Sequence, residues 1–224
     1  YGDPYFLHNK KYGRLAVPMQ FISGQSIYSY KLFLSGAIGT AGIVFKPAAL
    51  STLFELPMYE YTEERVDLYN VFKKEVIDKY AAAIKNAADA KQRVQLLEEF
   101  ILHEYELRQP EPDYIDEAAA QIVEKNGMLQ VNDLLQNSFM SRRTFERKFF
   151  QKVGLSPKYY ARIRRIGFIC NLIAGKKKVD WPQVFYECEF YDQAHFIKDF
   201  LEFTGRTPQQ YLKENAELAN YVEK

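Results

Sequence analysis

Set against itself at an offset of 51, the C-terminal half of this 224-residue chain repeats. Ser141 falls on Asp192, Phe145 on Phe196, Phe149 on Phe200, Gly154 on Gly205, Ser156 on Thr207, Pro157 on Pro208 and Tyr160 on Tyr211. Each pair has a physical reading. Ser141 and Asp192 are N-cap residues whose side-chain oxygens accept the free N–H groups of a following helix. The phenylalanines, four apart, form the buried stripe of that helix. The glycines end it in a left-handed conformation. Ser156-Pro157 and Thr207-Pro208 pair a cap with proline at the first helical position, which starts the next helix. A short apolar segment precedes each cap, Val131–Asn137 in one copy and Trp181–Cys188 in the other. The unit is therefore helix, tight turn, capped helix, stop, helix: a helix-turn-helix that occurs twice.

The rest of the chain is organised around this repeat. Further helices are expected at about Asp113–Lys125, Arg142–Lys152, Pro157–Ala174, Gln193–Phe203 and Pro208–Glu214. No convincing strand remains after Gln109-Pro110-Glu111-Pro112, whose two prolines make a short stiff linker and mark the domain boundary. Before it, Tyr28–Leu34 and Ile43–Phe45 read as strands, with turns at Lys10–Gly13, Ser23–Gln25 and Ser35–Gly42. Pro47 suits a first helical position, and Ala48–Leu56 reads as a short helix. Leu68, Val71, Phe72, Val76, Tyr80 and Ile84 recur at helical steps from Asp67 onward, and a second helix is expected at about Asp89–Leu107. The fold class is α+β: a β-rich domain with helices over 1–109, and an all-α domain over 113–224. The chain opens on Tyr1-Gly2-Asp3-Pro4 without Met, so it reads as beginning partway through the β-rich region.

Charge sharpens the picture. The formal net charge is only +1, yet Met140–Lys178 holds twelve basic residues and a single acid, Glu146. A run of that density is an electrostatic footprint for phosphate backbones. On the second helix of the first unit, the residues off the apolar stripe are Arg142, Arg143, Glu146, Arg147 and Lys148. Their counterparts in the second unit are Gln193, Ala194, His195, Lys198 and Asp199, the last expected in solvent beside Lys198. Arg suits guanine edges and Gln suits adenine edges. The helix between the units, about 18 residues and roughly 27 Å long, sets the two reading helices about one DNA turn, roughly 34 Å, apart.

Other chemistries find little support. His8, His103 and His195 lie far apart with no metal-ligand spacing, so no metal site is expected. Cys170 and Cys188 sit in apolar helical contexts and read as packed thiols of a reducing compartment. No nucleophile elbow, phosphate loop or dinucleotide fingerprint occurs, so neither enzyme activity nor a cofactor is expected, and an enzyme acting on a small molecule in the β-rich domain is the weaker rival reading. No apolar run is long enough for a membrane span.

Ser141-Arg142-Arg143-Thr144-Phe145-Glu146-Arg147-Lys148-Phe149 through Gly154-Leu155-Ser156-Pro157 resembles the first helix-turn-helix of AraC/XylS-type transcriptional regulators. Phe190-Tyr191-Asp192-Gln193-Ala194-His195-Phe196 through Phe200, Gly205, Thr207-Pro208 and Tyr211 resembles the second. The resemblance implies base contacts from Arg143, Glu146 and Arg147 and from Gln193, Ala194 and Lys198. It implies phosphate contacts from Arg142, Lys148 and His195. Gly2-Asp3-Pro4-Tyr5, Ser23-Gly24-Gln25 and Gly42–Pro47 resemble the β-rich sensor domain found ahead of such domains, a partial barrel that can hold a small ligand, with helices nearby that often dimerise. The partners so implied are double-stranded DNA across two adjacent major grooves, a small-molecule effector and a second copy of the chain, in the cytoplasm. Two departures stand out. Where the family has a small residue and a turn glycine, this chain has Leu135 and Phe139 in the first unit and Phe185 and Glu189 in the second. Altered turns would favour a helical protein–protein module with weakened DNA binding over a reader of DNA. The poorly basic second helix points to the first unit as the main source of affinity.

Overall fold

The structure, a computed structural model, describes residues 1–9, 12–136, 138–176 and 178–214. Lys10 and Lys11 of the first expected turn, Asn137 and Lys177 lie outside the described residues. The N-terminal part is built from short antiparallel strands. Strands β1 (Phe6–Asn9), β2 (Gly13–Ala16) and β4 (Lys31–Phe33) form one sheet in the order β2-β1-β4, with Phe6 opposite both Ala16 and Phe33. The Arg14 guanidinium lies 4.2 Å over the Phe6 ring. Strand β3 (Phe21–Ser23) pairs separately with β5 (Arg65–Asp67). The expected strand Ile43–Phe45 is irregular: it pairs with no strand among the described residues, and Val44 stands wholly in solvent.

Helix α1 (Ala49–Phe54) has Ala48 at its N-cap position with no side-chain cap, so Pro47 precedes that position instead of starting the helix. The apolar stripe expected from Asp67 is divided between two structures. Leu68–Asn70 form a single 3-10 turn, with Asp67 accepting the Tyr69 amide at 2.9 Å, and helix α2 begins only at Lys74 and runs to Asn86. Leu68, Val71 and Phe72 instead pack against a small core of Ile22, Met58 and Tyr61. Asp89 caps helix α3 (Ala90–Arg108) by accepting the Gln92 amide at 2.8 Å. Edge-on rings from Phe54 through Phe72 and Phe100 to Tyr80 join α1, α2 and α3.

After the proline linker the described chain is helical: α4 (Tyr114–Glu124), α5 (Val131–Leu135), α6 (Arg142–Val153), α7 (Pro157–Ile173), α8 (Trp181–Glu187), α9 (Gln193–Thr204) and residues 208–214. A capping box opens α4, in which Asp113 accepts the Ile115 amide while Asp116 accepts that of Asp113. Two cores form, one per repeat unit. Ile115, Ile122, Leu134, Phe145 and Phe149 build the first, and Val184, Cys188, Phe196 and Phe200 the second. Helix α7 belongs to both, giving Tyr160 and Ala161 to the first and Ile166, Ile169 and Ile173 to the second.

Candidate nucleic-acid interface

Helix α6 begins because Ser141 is extended (φ −66°, ψ 151°) and its hydroxyl oxygen accepts the Thr144 amide at 3.3 Å. Helix α9 begins on Asp192, whose carboxylate accepts the His195 amide at 2.7 Å and complements the positive end of the helix dipole. Both helices stop at glycine in the left-handed region, Gly154 with φ 87° and Gly205 with φ 71°. Ser156, with Pro157 after it, and Thr207, with Pro208 after it, cap the next helices through the Tyr159 and Gln210 amides, each at 3.3 Å.

The turns keep the geometry that glycine usually supplies. Phe139 has φ 50° and Glu189 φ 54°, so side chains sit where left-handed backbone disfavours them by about 1–2 kcal/mol each. Phe139 is fully exposed, which removes any packing reason for a phenylalanine there. Leu135 and Phe185 are half-buried and accommodated in the first and second cores. Both turns hold a non-glycine residue in the left-handed region.

On α6, Arg142, Arg143, Arg147 and Lys148 are exposed, Arg143 and Arg147 opposite the buried Phe145 and Phe149 and Lys148 on the flank toward the N-terminal part, with Glu146 half-buried. Arg142 and Glu146 are tied together, Nε to Oε1 at 2.9 Å. On α9, Gln193, Ala194, His195 and Lys198 are exposed. The His195 ring stands edge-on to Phe190 at 5.5 Å, and its Nε2 lies 3.6 Å from an Asp199 oxygen.

Asp199 corrects the sequence reading. It is not on the exposed face: it is 2% exposed, and Arg162 of α7 grips it through Nε at 3.1 Å and Nη2 at 2.7 Å. The same Nη2 reaches Glu202 at 2.6 Å, and the guanidinium lies over the Tyr159 and Phe203 rings. Sequence reasoning passed over a visible signal. Phe196, Asp199, Phe200 and Phe203 fall at i, i+3, i+4 and i+7, so Asp199 lies on the apolar stripe itself.

Several cations of the basic run are likewise spent inside the protein. Lys152 bridges Asp113 at 3.0 Å and Asp116 at 2.6 Å. Burial pushes the Asp116 carboxyl up, but hydrogen bonds from Lys152, Thr52 and the Asp113 amide outweigh it and hold the group below the ordinary carboxylate value. Arg165 donates to backbone carbonyls of both units. Exposed cations remain at Arg143, Arg147, Lys148, Lys158, Lys176 and Lys178. The two thiols are packed, Cys188 fully, where burial raises its pKa to about 11.

Residues ahead of the linker touch α4 and α6 directly. Tyr59 stacks on Phe150 (centroids 5.5 Å, planes 15° apart), Thr62 donates to the Gly154 carbonyl at 2.9 Å, and Thr52 to Asp116 at 2.6 Å. Ala48 is buried in the first core. A cleft of about 370 Å³ opens along this contact, lined by Ser51, Leu56, Tyr59, Asp113, Lys148 and Lys152. Among the described residues no helix is long and apolar enough to cross a membrane, and no group of three His, Cys, Asp or Glu is placed to hold a metal ion.

Comparison with known families agrees with this architecture. Residues 134–214 match the family described as a helix-turn-helix domain, and residues 1–67 match a domain of unknown function, DUF6597. No curated protein and no solved structure gives a significant match.

Proposed function

We propose, from the premise that this chain carries an AraC-type helix-turn-helix domain and is a DNA-binding transcription regulator, that α6 and α9 read two successive major grooves of one duplex. The observation that carries this reading is the pair of capped helices, each with its apolar face buried and its polar face in solvent, mounted on one rigid α7 of 17 residues, about 26 Å. Arg143, Glu146 and Arg147 of α6, and Gln193, Ala194 and Lys198 of α9, face base edges. Arg142, Lys148 and His195 take phosphates. Lys and Arg supply salt-dependent affinity by displacing counterions, and the few base-edge contacts supply sequence preference.

Affinity is uneven between the units, because α6 presents Arg143 and Arg147 while α9 presents Lys198 as its exposed cation. Arg147→Ala is expected to cost about 1–3 kcal/mol, up to roughly a hundredfold, and Lys198→Ala less; equal losses would refute the asymmetry. Residues 1–109 form the regulatory part. An effector, or a second copy of the chain, acting there biases DNA binding because Tyr59 and Thr62 share a surface with α6. Such a protein works in the cytoplasm, on chromosomal DNA. The test is selection of bound fragments from a random duplex pool, followed by a salt titration of the winner. The logarithm of affinity should fall linearly with that of salt, by about 0.9 for each phosphate neutralised. Binding that is flat with salt, or absent at about 50 mM, would refute the reading.

A further inference from the structure

Helix α7 changes allegiance between Ala161, in the first core, and Ile166, which begins the second. Arg165 stands at that junction, and its side chain hydrogen-bonds to both units. Nη2 donates at 3.0 Å to the carbonyl of Gly127, in the loop that leads from α4 into the first unit. Nη1 donates at 3.4 Å to the carbonyl of Glu189, the left-handed residue in the turn of the second unit. The guanidinium carbon lies 5.3 Å over the Phe190 ring, which is edge-on to Phe196 of α9 at 5.2 Å. At the other end, Gly127 has φ 77°, and a Cβ there would collide with the Ala161 carbonyl oxygen. Its loop therefore lies backbone-to-backbone on α7, and the carbonyl that Arg165 holds is fixed in place.

From this geometry we infer that Arg165 is a positioning residue: it pins the turn of the second unit to the entry loop of the first, and so sets the half-site spacing the protein accepts. Two details separate this role from plain stabilisation. Its partners are two carbonyl oxygens on different units, which a planar fork can span and a single ammonium cannot hold in the same way. Its Nε is buried with no hydrogen-bond partner among the described residues, a cost that an apolar side chain of similar length would not carry. What the arginine adds is the tie. Spacing is the property such a tie controls, because a shift of one base pair moves a half-site by about 3.4 Å and turns it by about 35° around the axis. Two rigidly set helices fit one spacing; a second unit free to swing on α7 fits several.

The inference rests on the two-groove reading above, and its test has an arm that does not involve DNA. Spin labels carried by unnatural amino acids at Asn132 on α5 and Gln183 on α8, both exposed, report the distance between the units in the free full-length chain. A single narrow distance distribution is expected for the unsubstituted chain and a broad one for Arg165→Met, with Arg165→Lys between them. Identical distributions would overturn the pin. In the second arm, the selected duplex is remade with its half-sites moved one base pair closer or farther. The unsubstituted chain should lose about tenfold for each shift, and Arg165→Met less than threefold, with binding to the first half-site alone unchanged. An Arg165→Met profile parallel to that of the parent, or lower by one factor at every spacing, would overturn the spacing role. Broadened distances in a chain that binds no duplex would leave the pin standing and refute the two-groove reading instead. Should Arg165→Met not fold, Arg165→Lys carries both arms by the same criteria.

Discussion

Replacing Asp199 by Asn removes one charge and almost no volume, and it separates two pictures of α9. In the structure Asp199 is 2% exposed and receives two guanidinium hydrogen bonds from Arg162, which is itself only partly exposed. Breaking a buried pair by removing one partner costs about 3–5 kcal/mol because the other charge is left uncompensated. Here Glu202 still holds Arg162 at 2.6 Å, so the cost falls toward about 2–3 kcal/mol. For a chain of this size each kcal/mol lowers the unfolding midpoint by about 2–4 °C, so a fall of about 4–12 °C is expected. Thermal unfolding followed by far-ultraviolet circular dichroism measures it, and a double-mutant cycle with Arg162→Met should show a coupling above about 1 kcal/mol. DNA affinity, measured well below the midpoint, should not rise. If Asp199 instead lay beside the phosphates, Asp199→Asn would leave the midpoint alone and tighten binding. That result would refute the argument from burial.

Three further outcomes follow from features of the same kind. Phe139→Gly and Glu189→Gly relieve left-handed backbone, and each should raise stability by about 0.5–1 kcal/mol in a urea titration once the extra freedom of unfolded glycine is deducted. Asp116 titrates below its ordinary value when folded, so its share of stability is complete above the unfolded pKa of about 3.9 and is lost as pH falls through the folded value. The stability gap between the parent and Asp116→Asn should therefore be constant from pH 7 to about 5 and close toward pH 3. Cys188, with its pKa raised to about 11 by burial, should resist a disulfide reagent at pH 8 in the folded chain and react at once in denaturant.

The C-terminal architecture was legible because its signals are local. Caps, terminal glycines and Phe pairs four apart each act within one or two turns of helix, and Ser141, Gly154, Asp192 and Gly205 adopt the conformations their chemistry favours. What escaped was tertiary. Asp199 and Arg162 are 37 residues apart, and Arg165 meets Gly127 and Glu189 across 38 and 24. No period in the sequence connects them. In the N-terminal part Leu68, Val71 and Phe72 recur at helical steps, but Asp67 ends β5 and caps a 3-10 turn, so that turn takes the start of the expected helix. Contacts across the linker are tertiary too: two prolines break the helices on either side, and Tyr59, Thr62 and Ala48 reach across to pack on α4 and α6.

The two cores on α7 are not covered alike. The first shares its interior with Ala48 and Ile27 from the N-terminal part, whereas the core around Phe196 and Phe200 is built from α7 onward, with Met128 at its margin. Opening of the second unit therefore leaves most of the molecule intact, while opening of the first drags the N-terminal part with it. On this packing the molecule is expected to divide into cooperative units of unequal free energy. Amide protons of α9 should exchange faster than those of α6, and, on the two-groove reading proposed above, the unit that exchanges faster would gain more order when its half-site is occupied. Operators with a strong second half-site would thus draw part of their selectivity from folding rather than from contact.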